Sequence, residues 1–456
     1  MLREGVLAQA PRRRLVAALL LCALLLCALL PPTAAWAQTT QGQPAEVTTA
    51  QIQSAQGPTS SYQGPLLPDP RLRAVETAPV WRDRLDSPTA LVTDTAVVYL
   101  RDGRLVATEL SSGWQQWAYG SGLTGPLLLA RADGAQGDGA EDRVIVAEGG
   151  RVTALNAATG AHLWSTEVTA LPVRYLQLSG EALLVGSGAE FTLVEVGSGR
   201  TLHELPMSGP SEPLHADGAV MIFRSWRGEP NVQHFHAFST STGEELWQSR
   251  AWTRLLGVEE ERAYLLNQRS ASSSGERFSL SVVDVHSGVR LEHWSYGMGG
   301  AGPAPADGSG ARFMLTDDAL YLVLDASGTV HRFPRGGAEA PAATYAPTLS
   351  GAFLTGPHLG LLFFESDDHS LVAASVGDGT VIRYLGAGTP ISRLDLVGSR
   401  AYVGRTSGTF VALDLDTARL RYMLATGGVG FGPTLRAGAY LVVQGSSELL
   451  VLEALR

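Results

Sequence analysis

Two histidines stand two residues apart, His234 and His236, in the strand-like stretch HFH. Side chains at alternate positions of a strand lie on one face, so the two imidazoles are arranged as a pair of metal ligands would be. No third ligand stands nearby in the sequence. The alternative that we favour is a hydrated outer strand face that binds no metal.

A second group of polar residues lies in the Gly-rich stretch ADGAQGDGAED, residues 132–142, which carries Asp133, Asp138, Glu141 and Asp142. Flexible carboxylates suit calcium, but the alternating carboxylates and the final Glu of an EF-hand loop are absent. We therefore favour an acidic hairpin loop there.

The triplet Asp367, Asp368 and His369 falls between two strand-like runs. Asp and His at such a position are typical of a solvated turn, and we predict a turn and no metal site.

Arg224 and Arg227 flank Trp226 in the stretch FRSWRGEP. Trp and Arg are enriched at interfaces, so this stretch is a candidate edge for contacting a carbohydrate or a peptide. The alternative is an Arg stacked on a half-buried Trp. No Ser or Thr lies in a nucleophile-elbow context and no phosphate-binding Gly loop occurs, so we predict no catalytic residue.

The first 37 residues are typical of an export signal. Arginines 12–14 precede an apolar run at 15–30, and Ala35-Trp36-Ala37 has the small-x-small pattern of a cleavage site. We predict cleavage after Ala37. The run is shorter than the roughly 18 residues of a membrane span, and an uncleaved anchor is the alternative.

The mature chain would begin with a linker at residues 38–74, rich in Gln, Thr, Ser, Gly and Pro. Both cysteines, Cys22 and Cys27, lie in the signal, so the mature chain has no disulfide and no thiolate site. The formal net charge is −10, and such a surface repels nucleic acid and anionic membranes. We expect a periplasmic or extracellular protein without a stable membrane span.

From residue 75 onward, short apolar runs are broken by Gly, Asp, Ser and Asn, which is typical of an all-β chain. One motif recurs: a small residue, then Gly six residues later, then an aromatic residue four residues after the Gly. The clearest copies are ALNAATGAHLW, AFSTSTGEELW and ATELSSGWQQW. Weaker copies occupy 194–203, 283–294, 373–384 and 412–422.

Each copy predicts a β-hairpin. An Asn or Asp side chain can bond to the turn backbone, and Gly adopts a positive φ angle. The aromatic ring can then reach back over the turn and pack against the neighbouring repeat. The structural residues identified in this way are Trp81, Gly113, Trp117, Gly160, Trp164, Gly243, Trp247, Gly288 and Tyr422.

Two more strands precede most copies, and the units recur at about the period of a propeller blade. We predict one domain over residues 75–456, a β-propeller of four-stranded antiparallel blades, with nine units counted. Eight is the alternative, because the unit around 302–347 is degenerate. The strand at Trp81 would complete the C-terminal blade and leave no free sheet edge.

The motif Ala-x-Asp/Asn-x-x-Thr-Gly-x-x-x-Trp resembles the repeat of the quinoprotein-type (PQQ-like) propellers. That family includes PQQ-dependent dehydrogenases and non-catalytic scaffolds such as BamB. Several of the dehydrogenases bind the quinone beside a vicinal disulfide, with a calcium ion held by Glu, Asn and Asp. Resemblance to that branch would imply the same groups here. No such trio can be carried over residue by residue, and the mature chain has no Cys, so the chain is nearer to the scaffolds.

These observations predict a non-enzymatic, exported and monomeric propeller without a cofactor. Its partners would be envelope or secreted proteins or peptides, and not nucleic acid. One alternative is an oxidoreductase that uses PQQ and calcium or another metal in the central channel. Another is a sugar-binding propeller.

Overall fold

The structure, a computed structural model, describes residues 78–131, 141–207, 209–226, 233–267, 277–299, 311–324, 327–345, 351–386 and 388–454. All of the described residues belong to one compact unit. The described residues contain no helix, and hence none long and apolar enough to cross a membrane. The predicted signal, its cleavage site after Ala37 and the linker at 38–74 lie outside the described residues.

The described chain forms nine four-stranded antiparallel sheets, or blades. Strand β1 (Trp81–Arg84) belongs to the ninth. Blade 1 contains β2 (Ala90–Val92), β3 (Ala96–Arg101), β4 (Arg104–Glu109) and β5 (Gln115–Tyr119). Blade 2 contains β6 (Leu127–Ala130), β7 (Arg143–Glu148), β8 (Arg151–Asn156) and β9 (His162–Glu167). Blade 3 contains β10 (Tyr175–Ser179), β11 (Ala182–Gly186), β12 (Phe191–Glu195) and β13 (Thr201–Leu205).

The next three blades follow the same order. Blade 4 contains β14 (Ser211–Asp217), β15 (Val220–Trp226), β16 (Gln233–Ser239) and β17 (Glu245–Ser249). Blade 5 contains β18 (Trp252–Glu259), β19 (Arg262–Asn267), β20 (Arg277–Asp284) and β21 (Arg290–Gly297). Blade 6 contains β22 (Ala311–Leu315), β23 (Ala319–Leu324), β24 (Thr329–Pro334) and β25 (Ala343–Tyr345).

Three blades complete the set. Blade 7 contains β26 (Gly351–His358), β27 (Leu361–Ser366), β28 (Leu371–Ser375) and β29 (Val381–Leu385). Blade 8 contains β30 (Ile391–Val397), β31 (Arg400–Arg405), β32 (Thr409–Asp414) and β33 (Arg419–Ala425). Blade 9 contains β34 (Leu435–Ala437), β35 (Tyr440–Gln444) and β36 (Glu448–Glu453), with β1 as its fourth strand.

The predicted propeller is confirmed, and the number of blades is nine. The eight-blade alternative is wrong, because the degenerate unit around 302–347 forms blade 6. The first strands of neighbouring blades adjoin one another and surround the centre of the ring. The ring closes as predicted: β1 pairs with β36, and Trp81 stands opposite Val451.

The core lies between the blades, because each hydrophobic cluster combines side chains from two neighbouring sheets. Both faces of a blade are therefore covered. The middle strands consequently read as continuous apolar runs rather than as alternating patterns, as in the fully buried residues Val97, Val98 and Tyr99.

The recurring motif forms the turn between the third and fourth strands. In blade 2, the Asn156 side-chain oxygen accepts hydrogen bonds from the backbone N–H groups of Ala158 and Thr159, at 3.0 and 2.8 Å. Gly160 ends the turn with φ at +71°. The small polar residue and the Gly are thus the two local requirements of the turn.

The motif Trp packs over the turn of the following blade and not over its own. Trp164 of blade 2 donates from Nε1 to the Val196 carbonyl of blade 3 at 2.9 Å. A Cβ atom on Gly199 would lie 2.5 Å from the Trp164 ring. Gly199 is therefore required both by its φ of +74° and by the close approach of the indole.

We call this arrangement the ring–turn contact: an aromatic side chain of a fourth strand bonds to a carbonyl in the next blade's turn. Trp81, Trp117 and Trp247 make it with the turns of Gly113, Gly160 and Gly288. His203 takes the Trp place against the turn of Gly243. Tyr345 and Tyr384 donate their hydroxyls to Val376 and Leu415.

Two aromatic residues of the predicted series depart from this arrangement. Tyr422 is buried in the cluster between blades 8 and 9, where β36 leads to no motif turn. The repeat copy ending at Trp294 was misaligned. Glu292 occupies the fourth position after Gly288 and is exposed, and Trp294 bonds to the Glu292 carboxylate at 2.8 Å.

Candidate functional site

A shallow depression of about 380 Å³ opens between blades 3 and 4. It lies at the end of the blades where first strands begin and second strands end, since these ends adjoin in antiparallel hairpins. Four segments therefore meet there, and they supply Arg174, Tyr175, Ser187, Gly188, Ala189, Pro210, Ser211, Glu212 and Trp226. We call it the Trp226 depression.

Trp226 ends β15 and is half-buried in the wall of the depression. The Arg224 guanidinium lies 5.0 Å from the centre of its ring and forms an ion pair with Glu212. The structure shows the stacked Arg and half-buried Trp of the second prediction. Trp226 itself lines the depression, and contact of this edge with a carbohydrate or a peptide stays a prediction. Arg227 lies outside the described residues.

The depression also holds a neutral phenol. Burial, and next the negative charge of Glu212, raise the pKa of Tyr175 above its ordinary value, while Arg174 opposes the rise. Tyr175 therefore remains protonated at neutral pH and is available as a hydrogen-bond donor. The lining thus holds two aromatic rings, one arginine and one carboxylate, which suit recognition of a polar chain with apolar side groups.

Three side chains of blade 4 form a hydrogen-bonded array in which Ser225 and His236 are buried and Glu245 is exposed. His236 Nε2 is 2.8 Å from Ser225 Oγ, and His236 Nδ1 is 2.8 Å from a Glu245 carboxylate oxygen. His234 stacks on His236, with ring centres 6.1 Å apart. The expected hydrated face is wrong: His234 and His236 are 2% and 5% exposed.

The reason for this burial lies in the packing of the blade. His236 stacks on Phe238, and Phe238 belongs to the cluster between blades 3 and 4. Blade 3 therefore covers the face that carries the histidines. Sequence alone predicts that the two rings share a face, but not which blade covers it.

The array has the order Ser, His Nε2, His Nδ1, carboxylate that serine hydrolases use. Ser225 is only 1% exposed, so a substrate carbonyl cannot reach Oγ in this arrangement. The array instead satisfies polar groups inside the blade. Sequence reasoning missed it, because its members come from three strands and only the register brings them together.

No group of three His, Cys, Asp or Glu side chains within the described ranges could hold a metal ion. The candidate residues Asp133 and Asp138 lie outside those ranges. We derive no chemical step through a metal or a quinone.

The Asp367–His369 triplet forms the turn between β27 and β28, as predicted. Asp368 accepts hydrogen bonds from Ser366 Oγ at 2.5 Å and from the Ser370 backbone N–H at 3.1 Å. The serine hydrogen bonds lower the pKa of Asp368 to about 2. The carboxylate therefore stabilises its own turn by accepting these hydrogen bonds.

Comparison with known proteins adds one finding from sequence. The family model described as outer membrane protein assembly factor BamB matches residues 70–249. This segment ends at the last residue of β17, so it contains β1 and blades 1 to 4. No curated protein sequence matches the chain.

Solved structures also match the chain, at low identity. BamB from Moraxella catarrhalis is 17% identical, with 83% of this chain and 100% of that chain covered and a TM-score of 0.43. The designed protein Ika8 is 12% identical, with coverage of 81% and 98% and a TM-score of 0.47. A europium-containing methanol dehydrogenase is 12% identical, with coverage of 84% and 93% and a TM-score of 0.44.

The family match falls on the part of the ring where the ring–turn contact uses Trp at four of five positions. Those tryptophans are Trp81, Trp117, Trp164 and Trp247, and His203 is the exception. The predicted resemblance of this chain to the PQQ-like propellers is thus confirmed, through the BamB model and over residues 70–249.

Proposed function

We propose that the protein is an exported, non-enzymatic propeller that binds envelope or secreted proteins or peptides, and that the Trp226 depression is a binding surface. The observation that carries this proposal is Trp226 in the wall of an open depression, with the Arg224 guanidinium stacked on its ring. The family match agrees with a scaffold role, since the model it matches is that of an assembly factor.

The geometry of the pair favours binding. Arg224 is held between the Trp226 ring and the Glu212 carboxylate, so little side-chain freedom remains to be lost when a partner arrives. Trp and Arg are also the residues at which binding energy most often concentrates. A shallow, mixed surface suits a protein segment better than an enclosed small molecule.

A capture experiment tests the proposal. Purified residues 38–456 are immobilised and used to capture partners from envelope extracts, with Trp226→Ala and Trp114→Ala as matched variants. Trp114 is 76% exposed in the β4–β5 turn of blade 1. We expect Trp226→Ala to weaken binding of the captured protein about tenfold or more, and Trp114→Ala to leave it unchanged.

Two outcomes would overturn the proposal. Equal capture by both variants would place the binding surface elsewhere. A titration with PQQ and calcium that shows saturable binding and dye-linked turnover would replace the scaffold with the oxidoreductase alternative.

A further inference from the structure

A second open surface lies at the other end of the blades, at the rim of blade 5. It is a cleft of about 510 Å³ lined by Glu260, Glu261, Arg262, Asp284 and Leu291. We call it the blade 5 cleft. The β18–β19 turn supplies Glu260 and Glu261, whereas the Trp226 depression adjoins the beginnings of first strands.

The cleft lies in the one blade whose fourth strand has a carboxylate in the aromatic position. Glu292 stands four residues after Gly288, so blade 5 makes no ring–turn contact with blade 6. The segment that follows β24 in blade 6 contacts blade 5 through its backbone and not through a motif turn. Its Ala338 pairs with the end of β21, through Gly297 N–H to Ala338 O at 2.7 Å and Ala338 N–H to Ser295 O at 2.9 Å.

Aliphatic side chains are exposed beside the cleft. Leu246 and Leu291 each stand three residues after the turn Gly of their blade. Leu246 is half-buried against the cluster between blades 4 and 5. Leu291 is 50% exposed, and the nearby Val289 is 58% exposed. Blade 5 therefore presents two exposed aliphatic side chains next to each other on its fourth strand and the turn before it.

The lining of the cleft carries three carboxylates and one guanidinium. Asp284 accepts hydrogen bonds from the Ser287 N–H and hydroxyl, both at 2.7 Å, so its carboxylate serves the turn. Arg262, the one cation lining the cleft, lies 3.5 Å from the Glu292 carboxylate. Glu260 and Glu261 are then the carboxylates of the lining that can attract a positively charged partner.

We propose that the blade 5 cleft binds a short segment of a partner protein in which aliphatic side chains alternate with arginine or lysine. The aliphatic groups would cover Leu291 and Val289, and the cations would reach Glu260 and Glu261. A second copy of this chain is a poor occupant, because its formal net charge is −10 and like charges repel. The proposal rests on the proposed binding function but uses a separate surface.

Fluorescence anisotropy tests the proposal with two labelled peptides of stated sequence. One is acetyl-Arg-Leu-Arg-Leu-Arg-amide, and the other has Glu in place of each Arg. We expect saturable binding of the basic peptide to residues 38–456, weakening as salt is added because the attraction is partly electrostatic. We expect no binding of the acidic peptide at the same concentrations.

Variants locate the binding. Leu291→Ser and the double variant Glu260→Gln, Glu261→Gln should each weaken binding of the basic peptide about tenfold. The control is Leu163→Ser, which changes a 41% exposed Leu at the equivalent position of blade 2 and should leave affinity within about twofold. Thermal melting of each variant checks that the fold is retained.

Three results would overturn the proposal: no binding of the basic peptide up to about 1 mM, equal binding by Leu291→Ser and Leu163→Ser, or a dimer in sedimentation that Leu291→Ser abolishes. If these occur while Trp226→Ala still loses its captured partner, the cleft proposal fails and the proposed function stands. If Trp226→Ala captures the partner as well as Trp114→Ala does, while the peptide results are as expected, the Trp226 surface fails and the cleft proposal stands.

Discussion

The interfaces on the two sides of blade 5 are built differently. Between blades 4 and 5, Trp247 donates to the Val285 carbonyl at 2.7 Å, and its ring covers Gly288. Between blades 5 and 6, the Arg335 guanidinium lies 4.8 Å from the centre of the Tyr264 ring and forms an ion pair with Glu259 at 2.7 Å.

The difference shows that a blade can be joined to the next in two physical ways. The ring–turn contact is local in sequence and can be repeated, since one Gly and one aromatic residue suffice. The interface between blades 5 and 6 needs a cation, two aromatic rings and a backbone bridge from several strands. The first leaves a motif in the sequence, and the second leaves none.

The largest expected effect is at the regular interface. Trp247→Ala removes a buried indole and its hydrogen bond, and should lower the free energy of unfolding by about 3 kcal/mol or more. Trp114→Ala, at an exposed indole, should change it by less than about 0.5 kcal/mol. Urea unfolding measures both, and similar losses would refute the packing role of Trp247.

A glycine pair separates the two demands of the turn. Gly288→Ala must accept a φ of +66° and a Cβ 2.7 Å from the Trp247 ring, so we expect a loss of about 2–3 kcal/mol. Gly180→Ala has a φ of +59° with no atom near its Cβ, and should lose about 1 kcal/mol. Equal losses in urea unfolding would mean that the close approach of the indole contributes nothing.

The irregular interface should respond less. Arg335→Met keeps an apolar stem but removes the charge over Tyr264 and Trp294, and we expect a loss of about 1–2 kcal/mol. Arg262→Met, whose ion pair with Glu292 is largely exposed, should lose less than about 0.5 kcal/mol. Thermal unfolding compares the two, and a loss at Arg335 above that at Trp247 would reverse the ranking of the interfaces.

The smallest effect is a pH dependence in blade 6. His331 is buried, its Nε2 has no hydrogen-bond partner, and burial lowers its pKa. The unfolded chain takes up a proton near pH 6.5 that the folded chain resists, so stability is lost as pH falls below about 6.5. In His331→Leu, the urea midpoint of unfolding should depend less on pH between 7.5 and 5.5 than in the unchanged protein. The same dependence on pH in both proteins would contradict this.

Much of the fold could be predicted because the motif is local. The turn of Asn156 and Gly160 and the closing strand at Trp81 are each visible within about ten residues of sequence. The misaligned Trp294 shows the limit, since a Gly followed by an aromatic residue six positions later also satisfies a loose pattern. Only strand register identifies Glu292 as the residue in the ring–turn position.

The candidate sites could be predicted only in part. Arg224 and Trp226 are neighbours in sequence, so their stacking could be proposed from it. Glu212 and Tyr175 come from the beginnings of two first strands, and only the ring brings them to that surface. The burial of His234 and His236 depends likewise on which blade covers their strand.

The pairing of β1 with β36 has a consequence for biogenesis. Blade 9 obtains its fourth strand from one extremity of the described chain and its other three from the opposite extremity. During synthesis, β1 therefore has no partner strand until β36 has emerged, and the ring remains open at blade 9 until then. The pairing that closes the ring therefore cannot form before nearly all of the described chain has been synthesised.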